Sequence, residues 1–412
     1  MSLVTKLLPL ILLSSTALAE SSESCGVLSN YKQIIACAEQ RSPDVVKADF
    51  AVKQKAASVE AASQLLNPEL SIEALSGTVD SETRSETDVS LAFPIELGGK
   101  RAARKNTAAG NLSQSELELF NAKAAVRKNV FLKILRLRQI EAELDLVNES
   151  IEAFGKLVKQ YKVRPALSPE QEVTLTLFKV AKDEYSFKRM EYDEELLALE
   201  SYFQITTGQG LASIKKALPP RIGSFPKVAD ENPELESSPV LASLKADLQI
   251  ALAELDQAHA DAWPVLSLGP SAKFSKESGK SIQQWGVNLS MPLPILSLNQ
   301  GAKSASAASV KMSEVRRDLA VQELRSHRAY LVEVYRKSAQ ALQETANSSA
   351  LDSKHKKVES LFVKGLIPSS LVIEAHRSLV EFEKTRNTRE LKAAEALLDL
   401  ALIDGKDAEL NL

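Results

Sequence analysis

Asn67-Pro68-Glu69-Leu70-Ser71-Ile72-Glu73-Ala74 stops a helical stretch at a proline and then alternates apolar and polar residues. Trp263-Pro264-Val265-Leu266-Ser267-Leu268 does the same about 196 residues later. The echo extends in both directions. Ser42-Pro43 and Ser238-Pro239 each open a helical pattern; Phe93-Pro94-Ile95 and Met291-Pro292-Leu293 each close a second alternating run. Leu167-Ser168-Pro169 and Leu366-Ile367-Pro368 each break a long helical pattern, and Gly208 and Gly405 each end a half. Offsets clustered at about 196–199 residues mark an internal duplication. Each half reads helix, two short strands, very long helix, helix.

The pattern divides the chain into an export signal over 1–19, a first repeat over 20–208, a linker over 209–238 and a second repeat over 239–412. The signal rests on Lys6, the short apolar run Leu7 to Leu13 and the Ala17-Leu18-Ala19 cleavage pattern. That run is too short to span a bilayer, and no later segment approaches the ~20 apolar residues of a membrane helix. The hairpins are expected at 69–93 and 265–292, with a polar loop from Gly77 to Glu86 in the first. Unbroken helical patterns over 98–163 and 299–364 would each reach about 100 Å at 1.5 Å per residue. In each half the two shorter helices together match the long one, so they are expected to stack end to end along it.

Composition agrees with long packed helices. The chain has only 5% aromatic residues and 15 glycines. Its 51 basic and 54 acidic residues nearly cancel, so no global field points to nucleic acid.

The strands carry the functional reading. Leu70, Ile72, Val89, Leu91 and Phe93 share one face of the first hairpin; Leu266, Leu268, Phe274, Trp285, Val287 and Leu289 share one face of the second. Ser, Asn, Glu and Lys occupy the opposite faces. An apolar face in a soluble protein needs a second sheet or a lid. In an exported chain it can instead meet lipid, provided the sheet closes so that no edge is left unpaired. Four strands cannot close alone, but three copies would supply twelve. The other reading is a soluble hairpin on a periplasmic coiled-coil scaffold that forms no channel.

The duplicated plan resembles the TolC-type outer membrane efflux proteins. Asn67-Pro68-Glu69-Leu70, Phe93-Pro94-Ile95-Glu96-Leu97-Gly98-Gly99-Lys100-Arg101 and Met291-Pro292-Leu293-Pro294 with Asn299-Gln300-Gly301 resemble the branch that serves heavy-metal pumps. Lys364-Gly365-Leu366-Ile367-Pro368-Ser369 resembles the family's helix-tip motif. The resemblance implies a mainly α fold with a small transmembrane β part: a homotrimer with a twelve-stranded barrel in the outer membrane, continued by a periplasmic helical barrel. It implies a passive exit duct for metal ions or small toxic compounds, with no covalent chemistry and no cofactor. The implied partners are outer membrane lipid, a periplasmic adaptor and an inner membrane transporter of the resistance-nodulation-division type.

Residue by residue, the resemblance implies adaptor docking at two tips. The second, Lys364, Gly365, Leu366, Ile367, Pro368 and Ser369, fits the motif. The first, Arg164, Pro165, Ala166, Leu167 and Ser168, lacks the glycine expected after Val163. Glu374 matches a position of the family's acidic pore constriction, while Leu371 replaces the acidic residue expected three before it. One carboxylate ring in place of two implies weaker cation selectivity. An ordinary solvated or paired helix carboxylate is the other reading of Glu374.

Cys25 and Cys37 are the only cysteines. Export makes a disulfide between them one option, and lipidation of Cys25 is another. Two cysteines are too few for a metal site. His259, His327, His355 and His376 show no paired ligand spacing, and four methionines form no relay. Gly98-Gly99-Lys100-Arg101 lacks the first glycine and the hydroxyl residue of a phosphate loop. Trp263 and Trp285 fall where an interfacial aromatic belt would lie.

Overall fold

The computed structural model describes residues 25–26, 28–79, 82–228, 235–277, 280–345 and 357–406. The expected export signal, His355 and the stretch 346–356 of the expected second long helix lie outside them.

The first half runs α1 (Tyr31–Arg41), α2 (Pro43–Ser63), β1 (Glu69–Val79), β2 (Glu82–Glu96), α3 (Lys100–Lys162) and α4 (Pro169–Thr207). The second half runs α6 (Pro239–Ala260), β3 (Val265–Glu277), β4 (Lys280–Ser290), α7 (Gln300–Glu344), a helical segment over 357–363, and α8 (Ser369–Ile403). Between them, the region expected to be a plain linker carries a short helix, α5 (Leu211–Lys215), and a 3-10 turn at Leu235–Ser237. Leu211 and Ile214 are buried, so apolar anchoring makes this turn helical despite its short length.

Ser42 separates α1 from α2 because Pro43 has no N–H to continue the helix and suits a first helical position. Asn30 caps α1 by accepting from the backbone N–H of Gln33 at 3.0 Å. Ser168 and Gln171 form a reciprocal capping box at the start of α4.

Helix α3, 63 residues long, is the spine, roughly 95 Å from end to end. Helices α2, α1 and α4 pack along it, and α6 and α8 pack between it and α7. The two shorter helices of each half thus flank the long one, as their lengths require. The main core is built from α3 and α4 with α1 and α8: Ile34, Val130, Ile134, Phe154, Phe178, Tyr185 and Val380 are all buried in it. Cys25 and Cys37 are joined by a disulfide, with Cα atoms 5.8 Å apart. Gln209 donates to the Cys25 carbonyl at 2.9 Å, which fixes the chain entry against the end of α4.

The four strands form one antiparallel sheet in the order β1-β2-β3-β4. Of the polar loop expected over 77–86, residues 77–79 and 82–86 are instead paired strand, with Gly77 opposite Arg84 and Thr78 opposite Thr83, and 80–81 lie outside the described residues. Backbone ladder bonds carry the hairpin past its apolar stretch, and Arg84 pairs with Glu277 across β2 and β3. β3 likewise runs on to Glu277, while β4 ends at Ser290, before the proline expected to close it.

Candidate functional site: a bare sheet face and two helix tips

Register places the predicted strand residues together. Ile72, Val89, Ala272 and Trp285 lie opposite one another in a single cross-strand row. Leu70 faces Leu91, and Phe93, Leu268 and Leu289 form another row. Leu266 faces Ile95 and Phe274 faces Thr87, which bound the apolar band at its two ends. From Thr87 to Ile95 the band spans about the 9–11 residues of a membrane strand. Among the described residues no helix covers it: Val287 is 74% exposed and Leu289 64%, and the strands make their main contacts only with each other. Phe274 and Trp285 meet edge-to-face at 6.3 Å, which stiffens the exposed face.

The other face is polar. Ser71, Ser90, Ser271 and Gly286 form one row; Glu73, Asp88, Lys273 and Gln284 form the next. Lys273 pairs with Glu86 and lies 3.9 Å from Asp88. β1 and β4 end the sheet, and among the described residues neither has a strand on its outer side.

The tips lie at the opposite end of α3. Tyr161, Phe178 and Phe362 pack in sequence with ring centroids 6.1 and 5.6 Å apart, bringing the two turns together. At the first, Val163, Arg164, Pro165, Ala166 and Ser168 are exposed and Leu167 is half-buried. Arg164 lies over the Tyr161 ring at 4.5 Å. At the second, the Leu366 N–H bonds to the Leu361 carbonyl at 3.0 Å, and the Gly365 N–H bonds to the Phe362 carbonyl at 2.8 Å. This is the Schellman pattern, and it needs the left-handed φ of 71° that Gly365 supplies. Lys364, Gly365, Leu366 and Pro368 are exposed, while Ile367 packs on the core. Ser369 begins α8.

Glu374 sits on α8, just above the second tip, with 62% of its side chain exposed. Its charge is not isolated. Arg377 lies 3.7 Å away and reaches Glu184 on α4 at 3.2 Å, and the Ser378 hydroxyl donates to Glu374 at 3.4 Å. Trp263 lies just before β3, not within a strand, with its indole against Gly98.

Two clusters escaped the sequence reading. The first is a buried polar belt at mid-height. Arg136 donates to Glu195 on α4 and to Glu143, which is 0% exposed. The Asn387 amide on α8 donates to Glu143 at 2.7 Å. Gln139 and Arg138 both donate to Glu390, and Arg221 pairs with Glu383. Burial pulls the Arg136 guanidinium down, but Glu195 and Glu143 outweigh it and hold it above the usual range. Burial pushes the neighbouring Tyr192 hydroxyl up, with Glu143 adding to the effect. Charges at core positions of a helical repeat were the available signal. Arg136→Met leaves the Glu143 carboxylate dry with only the neutral Asn387 amide and Tyr192 hydroxyl as partners, so we expect a loss of about 3–5 kcal/mol in urea unfolding. A loss below about 1 kcal/mol would mean that Glu143 has another way to be solvated.

The second cluster centres on His376, which is 1% exposed. Its Nδ1 is 2.9 Å from Ser150 Oγ on α3, and its Nε2 is 3.1 Å from Glu359.

With this geometry in view, the comparisons with known proteins are specific. Residues 34–164 match the family model for outer membrane efflux proteins. Over 247 residues, 57% of this chain and 56% of the other, it is 28% identical to the cobalt-zinc-cadmium resistance protein CzcC of Cupriavidus metallidurans. The chain therefore spans about half the length of the curated relative it matches. The outer membrane channel CmeC of Campylobacter jejuni superposes with a TM-score of 0.73 at 15% identity, over 91% of this chain and 85% of that one. CusC, solved in a study of folding and transmembrane channel formation, gives 0.71 at 14% identity over 93% and 94%. The fold of this chain is thus that of solved outer membrane channels.

Proposed function

We propose that three copies of this chain form the outer membrane exit duct of a tripartite efflux system, and that metal ions are its cargo class. The observation that carries the reading is the apolar band on a four-stranded sheet with two open edges. Closing β4 of one copy onto β1 of the next satisfies both edges and turns the band toward outer membrane lipid. The Ser and Glu/Asp/Lys rows then line water.

The helices support the same closure. Val173, Val180 and Phe187 recur every seven residues on α4, flanked by Leu177 and Met190, and all are exposed. Met312, Val315 and Leu319 do the same on α7. Such stripes are seams between neighbouring helices, and no helix of the same copy fills them. The tips, 164–168 and 364–369, dock the periplasmic adaptor, through which an inner membrane transporter supplies energy. The metal-ion cargo rests on the likeness to CzcC.

Glu374 would line the constriction, but Arg377 beside it offsets most of its charge. The test is a planar bilayer. Purified trimers should conduct, with weak cation preference. Arg377→Gln should raise that preference, and Glu374→Gln should lower it by less. A preparation that never conducts, including after Glu374→Gln, would sink the duct reading.

A further inference from the structure

Of the three described histidine positions, His259 and His327 are exposed; only His376 is enclosed. It joins three elements: Ser150 on α3, Glu359 on the segment 357–363, and its own helix α8. The Phe154 ring stands 4.8 Å from the imidazole. This arrangement plays no part in the duct as described above.

Proton accounting makes the site unusual. The Ser150 hydroxyl has one hydrogen and two acceptors in reach: His376 Nδ1 at 2.9 Å and the Leu146 carbonyl at 2.8 Å. With neutral His376, the hydroxyl donates to Nδ1 and Nε2–H donates to Glu359. With protonated His376, the hydroxyl turns to Leu146, and Ser150 Oγ accepts from Nδ1–H. Both ring protons then have acceptors, with no heavy atom moved. A buried imidazole ordinarily resists a second proton because one N–H is left orphaned. Here a hydroxyl rotation removes that cost, and the Glu359 carboxylate favours the cation.

We propose that His376 is a proton-operated latch: its protonated form clamps the segment 357–363 onto α3 and α8, and its deprotonation loosens the second tip. A proton bound more tightly in the clamped arrangement stabilises it most at low pH, and the effect fades as pH rises through the range where histidine titrates. The surrounding charges do not substitute for it. Arg377 on α8 is engaged by Glu184 of α4 and by Glu374. On α3, Lys156 is engaged by Glu152 at 2.7 Å, and Glu149 lines the groove beside Glu359. Tyr185 on α4, in ring contact with Phe154, is held neutral because burial pushes its hydroxyl far up. The latch's effect on docking rests on the reading of 364–369 as the adaptor-docking turn; the latch itself does not.

Hydrogen exchange on the full-length trimer in detergent tests this, with rates corrected for intrinsic pH dependence. Amides of 357–363 should be about five- to tenfold better protected at pH 5.5 than at pH 8, the margin of a charged over a neutral hydrogen bond. Glu359→Gln keeps an acceptor for neutral His376 but removes the ion pair, so the pH step should vanish. Ser150→Ala removes the Nδ1–H acceptor, so the step should shrink and move to lower pH. Equal protection at both pH values in the unaltered chain, or an undiminished step in Glu359→Gln, overturns the latch. Adaptor cross-linking at the same two pH values reads the docking turn separately. A pH step in protection without one in cross-linking supports the latch and counts against the docking reading alone.

Discussion

Val287→Arg leaves the chain out of the outer membrane. Val287 lies opposite Pro270 near the middle of the apolar band, 74% exposed on a face that no described helix covers. An arginine on the lipid side near the bilayer midplane costs about 2–4 kcal/mol. The proposed trimer would carry it three times, so the penalty per assembly is comparable to a domain's whole stability. Its sequence neighbour provides the control. Asn288 points to the opposite face, in the row shared with Gly269. Asn288→Arg therefore puts the same charge into water and should leave assembly intact. Membrane fractionation and the proportion of heat-dissociable trimer on a denaturing gel read both variants. If Val287→Arg partitioned to the membrane as well as Asn288→Arg, the sheet would face something other than lipid. The soluble scaffold would then be the better account.

Much of this was legible in the sequence, and the reasons differ by element. The strand faces could be read because alternation is a local signal with a fixed period, and the register kept Ile72, Val89, Ala272 and Trp285 in line. The helix breaks could be read because proline and glycine act within one turn. Strand length could not. The residues over 77–86 are polar and look like a loop, but pairing with a neighbouring strand is a non-local gain that residue type does not announce. The joining of two hairpins into one sheet is likewise invisible along the chain. The buried belt and the His376 latch were missed for a related reason. Glu143, Glu390 and His376 look like ordinary surface residues until Asn387, Gln139 and Ser150 are brought beside them from distant helices. Polar groups at core positions break the apolar rule locally, and only their partners show why.

Gly365→Trp and Pro368→Asp should abolish export while trimers still assemble. Neither change threatens the fold. A Cβ at Gly365 meets nothing within 4 Å and the position is exposed, so the main cost is the left-handed backbone, about 1–2 kcal/mol. Asp at position 368 is a favoured residue for the start of α8, whose first turn carries no acidic residue. Ile367, which anchors the turn to the core, is untouched. What changes is the outer surface: an indole stands where the chain bends, or a carboxylate replaces an apolar ring. Docking sites lose most when a bulky or charged group enters a packed centre, typically 2 kcal/mol or more, which is about thirtyfold in affinity. At the first tip, Pro165→Asp should do less, because Arg164 already presents a charge there and the turn lacks the glycine bend. Export assays in cells carrying the matching transporter and adaptor, paired with the trimer gel, separate docking from assembly. Export that survived both substitutions, with trimers present, would place the adaptor elsewhere. The turn at 364–369 would then be a helix connection and nothing more.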